Sequence, residues 1–222
     1  MKIFCVIPAY NEASNIIAVI NNVKPIVDRV VVVDDCSDDN TYLLAKQQNI
    51  IALKHIINLG QGAALKTGTE YAIKKFADII IHFDADGQFF AKDIKTIIKP
   101  IVDGQADIVF GSRFINKQDS AGMPTAKKYL IMPLAKLANK LLFNINLTDP
   151  QSGFRAMTQQ AAVAIGWQQD RMSHCSEILY KAIKYKLRIK EVPINVIYHS
   201  FGQRFSSGVK ILLDLFLAKL NQ

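Results

Sequence analysis

Cysteine is scarce in this sequence, and its few cysteines are scattered. Cys5, Cys36 and Cys175 are odd in number, and no CxxC pair occurs. That excludes a disulfide framework or a cysteine-built zinc site and fits a reducing cytoplasm. Long hydrophobic runs are missing too. No stretch approaches the roughly 18 to 20 apolar residues a spanning helix needs. The opening segment, Ile3 to Pro8, is too short for a secretory h-region and has no small-residue cleavage site. The expectation is a cytoplasmic chain, soluble or peripheral on the cytoplasmic membrane face. Acidic residues are outnumbered, 19 against 27 Lys and Arg, for a net charge of +8. Such an excess favours an anionic partner: a phosphorylated ligand, a membrane surface or nucleic acid. Aromatics interleaved with basic residues on a strand are absent, which argues against nucleic acid.

What is present is an ordinary globular balance, half hydrophobic and 21% charged over 222 residues. The first half alternates short β-branched runs with helical stretches. The runs are Ile3 to Ile7, Val30 to Val33, Ile50 to Leu53, Ile79 to Phe83 and Ile108 to Phe110. Between them lie helical patterns near Glu12–Asn22, Thr41–Gln48, Gly62–Phe76 and Lys92–Val102. Continuous apolar strands separated by helices predict βαβ units around a mostly parallel sheet covered on both faces. Further on, a polar loop is expected over Asn116–Thr125, then helices over Ala126–Phe143 and Ser176–Tyr185 and a strand over Arg188–Pro193. Residues 208–220 carry Val209, Leu212, Leu213, Phe216 and Leu220 at helical spacing, an amphipathic helix suited to packing or to a homodimer contact. No repeat or linker is visible, so residues 1–222 read as a single α/β domain.

In open α/β sheets ligands sit beyond the carboxyl ends of the strands, and the polar clusters of this chain fall there. Asp84-Ala85-Asp86 follows one apolar run. Alternate carboxylates project to one side of an extended segment, and Gln88 adds an amide oxygen at the same parity. Hard oxygen ligands suit Mg²⁺ or Mn²⁺ bridging to substrate phosphates. Alone, the triplet is equally a solvated acidic turn. Asp34-Asp35 follows a second run; Asp35 there is suited to a base or ribose hydroxyl, whereas Asp39 and Thr41 read as caps of the next helix. Pro8-Ala9-Tyr10-Asn11-Glu12 follows the first, with Tyr10 and Glu12 suited to a nucleoside or, in the plainer alternative, Asn11 and Glu12 as caps. Asn58-Leu59-Gly60-Gln61-Gly62 opens a helix, where glycines allow close backbone approach and the N-terminus favours an anion. Its spacing is neither a P-loop nor GxGxxG.

Taken in order, PAYNE, DDxSxDxT, NxGxGAALKTG, DADGQ, GSR and DPQSGFR resemble inverting glycosyltransferases of family two, in particular the branch acting on polyprenyl or dolichyl phosphate. The resemblance runs over nearly the whole chain and implies a GT-A-type nucleotide-binding fold. It implies that Pro8, Ala9, Tyr10 and Glu12, with Val33 and Asp35, bind the donor nucleoside, and it adds Gly62 and Lys66 to the donor side. Asp84, Asp86 and Gln88 are implied as ligands of Mg²⁺ or Mn²⁺, with Ala85 on the nucleotide through its backbone. Arg113 is implied at the diphosphate or acceptor phosphate, and Asp149, Ser152, Gly153 and Arg155 at the transfer site. Asp86, Arg113 and Asp149 are thus the catalytic candidates, Asp149 as a base if the acceptor is a hydroxyl. The chain departs from the pattern at Gln61, where many relatives have lysine, at Cys36, where glycine is common, and beyond Ile194, where His199 or Arg204 would have to supply a charge.

The implied reaction moves a hexose from a GDP- or UDP-linked donor to polyprenyl phosphate. The alternatives are a saccharide hydroxyl as acceptor, or a sugar-nucleotide-binding module without activity. A nucleotidyltransferase would carry a basic, glycine-rich loop where this chain has PAYNE. Leucines and lysines of Ala126–Phe143 suit either a membrane interface, or a membrane-protein partner, or a core-packing face.

Overall fold

The computed structural model describes residues 1–115 and 147–197. Its strands are β1 Ile3–Ala9, β2 Arg29–Asp34, β3 Ile51–Lys54, β4 Ile79–His82, β5 Ile108–Ser112, β6 Arg155–Thr158 and β7 Ile189–Pro193. The helices are α1 Ile16–Val23, α2 Thr41–Lys46, α3 Gln61–Lys74, α4 Ile94–Val102, α5 Gln159–Ile165 and α6 His174–Lys184. All strands join one sheet in the order β3-β2-β1-β4-β6-β5-β7. Every pairing is parallel except those of β6, which runs antiparallel to both β4 and β5.

The strands are apolar on both faces because both faces are covered. Cys5 and Ile7 of β1 join Val30 and Val32 of β2 in one core, which α1 and α4 close. Phe4 and Val6 join Val31 and Val33 in the other, beneath α3, α5 and α6. Helix α3 lies close on the sheet at Gly68, where an added Cβ would meet the Val6 side chain at 2.3 Å.

The expected strands and helices within the described residues all form, with shifted ends. Helix α1 begins at Ile16 rather than Glu12 because residues 11–15 are held in a turn, with Asn11 at φ +58°. Two elements were not foreseen. Strand β6 reads Arg155-Ala156-Met157-Thr158, which is no run of β-branched apolar residues, and α5 follows it at once. Thr158 starts that helix by accepting a hydrogen bond from the Ala161 N–H at 3.1 Å, and Gly166, at φ +37°, ends it. Among the described residues no helix is long and apolar enough to cross a membrane. The expected loop over 116–125, the helices over 126–143 and 208–220, and the candidates His199 and Arg204 lie outside the described residues.

Candidate functional site

The carboxyl ends of β1 and β2 lie side by side, with Ala9 paired to Asp34. The turns that follow are stitched together by side chains. The Asn11 N–H donates to Ser37 Oγ at 2.9 Å, and the Asp38 N–H donates back to Asn11 Oδ1 at 2.9 Å. The Glu12 N–H donates to Thr41 Oγ1 at 2.8 Å, and the Ala13 N–H to Asp39 Oδ2 at 3.0 Å. Asp39 also accepts from the Thr41 N–H, so the pair holds the start of α2 as expected and braces the PAYNE turn besides. Tyr10 is left 46% exposed above this base, free to lie against a flat ring. Burial, with help from Asp86 and Asp39, pushes the Glu12 carboxyl up against the opposing Asn15 hydrogen bond. Val33 needs correcting: its side chain is fully buried in the core beneath α3, so only its backbone is available to a ligand.

Asp35 is buried, and its carboxylate organises the neighbouring loop. Oδ1 accepts from the Leu59 N–H at 3.0 Å and lies 2.7 Å from His55 Nδ1, while Oδ2 accepts from the Gly60 N–H at 2.6 Å. His55 is held from its other side by Thr67 Oγ1 at 2.9 Å. A ligand hydroxyl can therefore share this carboxylate only with a structural task already in place.

The glycine loop also differs from expectation. Gly60 has φ +108°, and a Cβ there would come within 2.6 Å of the Asp170 carbonyl oxygen. A Cβ on Gly62 would come within 2.4 Å of the Gln169 carbonyl oxygen. The Ala63 N–H donates to the Asp170 carbonyl at 3.0 Å, and Trp167 Nε1 donates to the Gly62 carbonyl at 3.0 Å. Gly62 is thus a packing glycine against residues 167–170 rather than a phosphate cradle. Lys66 likewise reaches Gln168 Oε1 at 3.3 Å.

Asp84-Ala85-Asp86 continues β4 beyond its last paired residue. Asp84 is partly buried, and its Oδ1 accepts from Gln61 Nε2 at 2.8 Å. Gly153 packs on the other oxygen: a Cβ there would sit 2.5 Å from Asp84 Oδ2. Burial first, then the charges of Asp86 and Cys175, raise the Asp84 carboxyl to about 7 despite Arg155 and His174. Asp86 Oδ1 accepts from the Gln88 N–H at 3.0 Å across Gly87, at φ +73°, and the Gln88 carbonyl accepts from the Ile197 N–H at 2.9 Å. Among the described residues no group of three or more His, Cys, Asp or Glu forms a metal cage. Two carboxylates repelling each other, plus the Gln88 amide, nonetheless fit a hard cation that completes its shell with phosphate and water oxygens. Asp84, Asp86 and Gln88 are the residues that would hold it.

Below the triplet lies a buried polar group that sequence reasoning missed. Arg155 is 0% exposed and donates through Nη2 to Cys175 Sγ at 3.1 Å. His174 Nε2 stands 3.4 Å from the same sulfur. Burial alone would raise the Cys175 thiol, but Arg155 and His174 outweigh it and bring it down to about 6. Arg155 therefore cannot be an acceptor-phosphate contact, because it lies in the interior beneath Asp84. Ser152 is also buried, with its hydroxyl donating to the Phe154 carbonyl.

Arg113, just past β5, has a side chain 27% exposed. Its Nε and Nη2 donate to Asp149 Oδ2 and Oδ1 at 2.6 and 2.8 Å, a bidentate fork. Asp149 is 3% exposed with both oxygens on that fork, so no acceptor hydroxyl can reach it as a base. The fork fixes the direction of the Arg113 guanidinium. Glu191 of β7 fixes Asp149 in turn, accepting from the N–H groups of Thr148 and Asp149 at 2.8 and 2.7 Å. The EVP run gave no sign of this; only the pairing of β7 with β5 brings Glu191 there.

The sequence profile described as Glycosyl transferase family 2 matches residues 4–166. The chain is 38% identical to an uncharacterised protein of Methanocaldococcus jannaschii over 99% of this chain and 93% of that one. It is 37% identical to the UDP-N-acetylglucosamine–dolichyl-phosphate N-acetylglucosaminyltransferase of Methanococcus voltae, over 99% and 97%. The undecaprenyl-phosphate mannosyltransferase of Micrococcus luteus is 26% identical over 94% of this chain and 88% of its own. Among solved structures, glucosyl-3-phosphoglycerate synthase of Mycobacterium tuberculosis, in complex with Mn²⁺, UDP-glucose and phosphoglyceric acid, superposes with a TM-score of 0.74. At 18% identity, over 95% of this chain and 77% of that one, the likeness shows the fold. With its seven-stranded, mostly parallel sheet flanked by helices, the chain has the GT-A-type architecture and belongs to glycosyl transferase family 2.

Proposed function

We propose that this chain moves a hexose from a nucleotide-diphosphate sugar to a polyprenyl phosphate with inversion at the anomeric carbon, using Mg²⁺ or Mn²⁺. One observation carries the reading: the Asp84/Asp86 pair lies between a braced nucleoside cradle on β1 and β2 and the Arg113–Asp149 fork beyond β5. The relatives named for dolichyl- and undecaprenyl-phosphate transfer support the acceptor.

Tyr10 and the backbone of residues 8–12 bind the nucleoside, and Asp35 holds the loop that closes beside it. A bound divalent cation would neutralise the diphosphate as it leaves. Arg113 presents a fixed positive charge to phosphate oxygens, aimed by Asp149. A phosphate acceptor is already anionic near neutral pH and needs little help from a base. That suits a site in which the candidate base Asp149 is held by Arg113; a saccharide hydroxyl would need a proton acceptor there.

The test is a transfer screen with UDP- and GDP-sugars, Mg²⁺ or Mn²⁺, and a short polyprenyl phosphate. Asp86→Ala should lose metal-dependent donor binding and turnover. Turnover by that variant at the parent's rate refutes the metal assignment, and transfer only to soluble sugars refutes the lipid acceptor.

A further inference from the structure

Gln61 is the first residue of α3, and its backbone is gripped on both sides. Before it, the Leu59 and Gly60 N–H groups donate to the two oxygens of Asp35. After it, the Gly62 carbonyl accepts from Trp167 and the Ala63 N–H donates to the Asp170 carbonyl. With the main chain so fixed, the Gln61 side chain donates to Asp84 Oδ1 at 2.8 Å. On the opposite side, the bare Cα of Gly153 lies against Asp84 Oδ2.

We infer that Gln61 is a positioning residue that holds Asp84 for the divalent cation through a neutral hydrogen bond, and so ties the nucleoside end of the site to its metal end. The inference rests on the metal-dependent reading above. An amide is suited to the task because it orients a carboxylate without bringing a positive charge that competes with the cation. An ammonium at the same point would orient the carboxylate equally well but offset its charge. The connection runs from Asp35 through the Gly60 amide and the Gln61 side chain to Asp84, with no ligand atom in it. Mg²⁺ itself demands near-ideal geometry, so a carboxylate free to rotate is a poorer ligand for it.

The experiment titrates the full chain with Mn²⁺, following free Mn²⁺ by electron paramagnetic resonance, with and without UDP or GDP. Gln61 is partly exposed, and methionine and lysine are both good helix formers, so neither replacement opposes the helix start. Gln61→Met keeps the length and removes the donor; Mn²⁺ binding should weaken about ten-fold, as for loss of a hydrogen bond to a charged group. Gln61→Lys should also weaken Mn²⁺ at least about ten-fold, yet tighten metal-free nucleoside diphosphate, a split that mere loosening of the loop would not produce. Binding of Mn²⁺ by both variants within two-fold of the parent overturns the inference, as does a parent that takes up no Mn²⁺ with either nucleotide. A parent that binds Mn²⁺ with nucleotide but transfers nothing to polyprenyl phosphate overturns the acceptor assignment and leaves the role of Gln61 standing.

Discussion

Replacing Gly153 by alanine adds one methyl group at the point where the chain runs back beside the acidic triplet. The new Cβ would stand 2.5 Å from Asp84 Oδ2 and 3.1 Å from its carboxyl carbon. Contacts below 3.0 Å are essentially never adopted by real Cβ atoms, so the carboxylate or the Gly153 backbone must retreat by about 0.5 Å. Neither moves freely. Asp84 follows β4, which is paired on both sides and is anchored at Oδ1 by Gln61, while Gly153 precedes Phe154, which is wholly buried. Overpacking of this kind costs about 1–3 kcal/mol of stability. Displacing a catalytic group by about 1 Å can cost about a hundred-fold in rate, so half that distance should lower kcat/KM about ten-fold. The measurement is kcat/KM for sugar transfer, alongside urea unfolding to separate the site from the fold. An alanine variant with kcat/KM within two-fold of the parent and an unchanged unfolding midpoint would falsify the claim that Gly153 sets the place of Asp84.

Asp149→Asn removes the charge that aims Arg113 and should cost on the order of ten- to a hundred-fold in kcat, with donor binding nearly intact; a matching loss of donor affinity would put Arg113 on the donor instead. Cys36→Gly should leave the melting temperature unchanged or raise it slightly. Cys36 sits at φ +63°, which costs a side chain about 1–2 kcal/mol, against a weak Sγ contact to the Ile56 carbonyl at 3.3 Å; a fall in Tm of several degrees would show that the thiol contact matters more. The Arg188 hydrogen bonds to Asp107 lower its carboxyl from 3.8. Its contribution to stability is therefore full above that value and is lost as pH falls through the lower folded pKa. The stability gap between parent and Asp107→Asn should be constant from pH 7 down to about 5 and close as pH falls below 3.8; a gap independent of pH contradicts the pairing.

The N-terminal half was readable because its signals are local. Runs such as Ile79 to Phe83 are long enough to show a buried strand, and the polar clusters end them where an α/β sheet binds ligands. The acidic triplet and the Arg113 position likewise fall at strand ends that the hydrophobic pattern marks. What the sequence could not display is contact across long separations. Strand β6, Arg155-Ala156-Met157-Thr158, lacks the β-branched apolar run of strands such as β2 and β4, so no local pattern signals that Arg155 turns inward to Cys175. Asp149 reads in the sequence as a candidate base, whereas both its oxygens lie on Arg113, and no local pattern points to Glu191 as its brace. The glycines of the 60–62 loop read as room for close backbone approach at a helix start, but their bare faces meet the backbone of residues 169–170, more than a hundred positions away.

The sheet order carries a consequence for biosynthesis. Strands β1 to β4 find all their parallel neighbours within the first 82 residues, whereas β5 has no sheet partner until β6 and β7 have been made. As the chain leaves the ribosome, the turns carrying Tyr10 and Asp35 can therefore assemble while Asp84 still lacks Gly153 behind it and Arg155 beneath it. The surroundings of Asp84 are completed only when the antiparallel strand slots between β4 and β5. An emerging chain thus gathers the turns after β1 and β2 before the cluster of Asp84, Arg155 and Cys175.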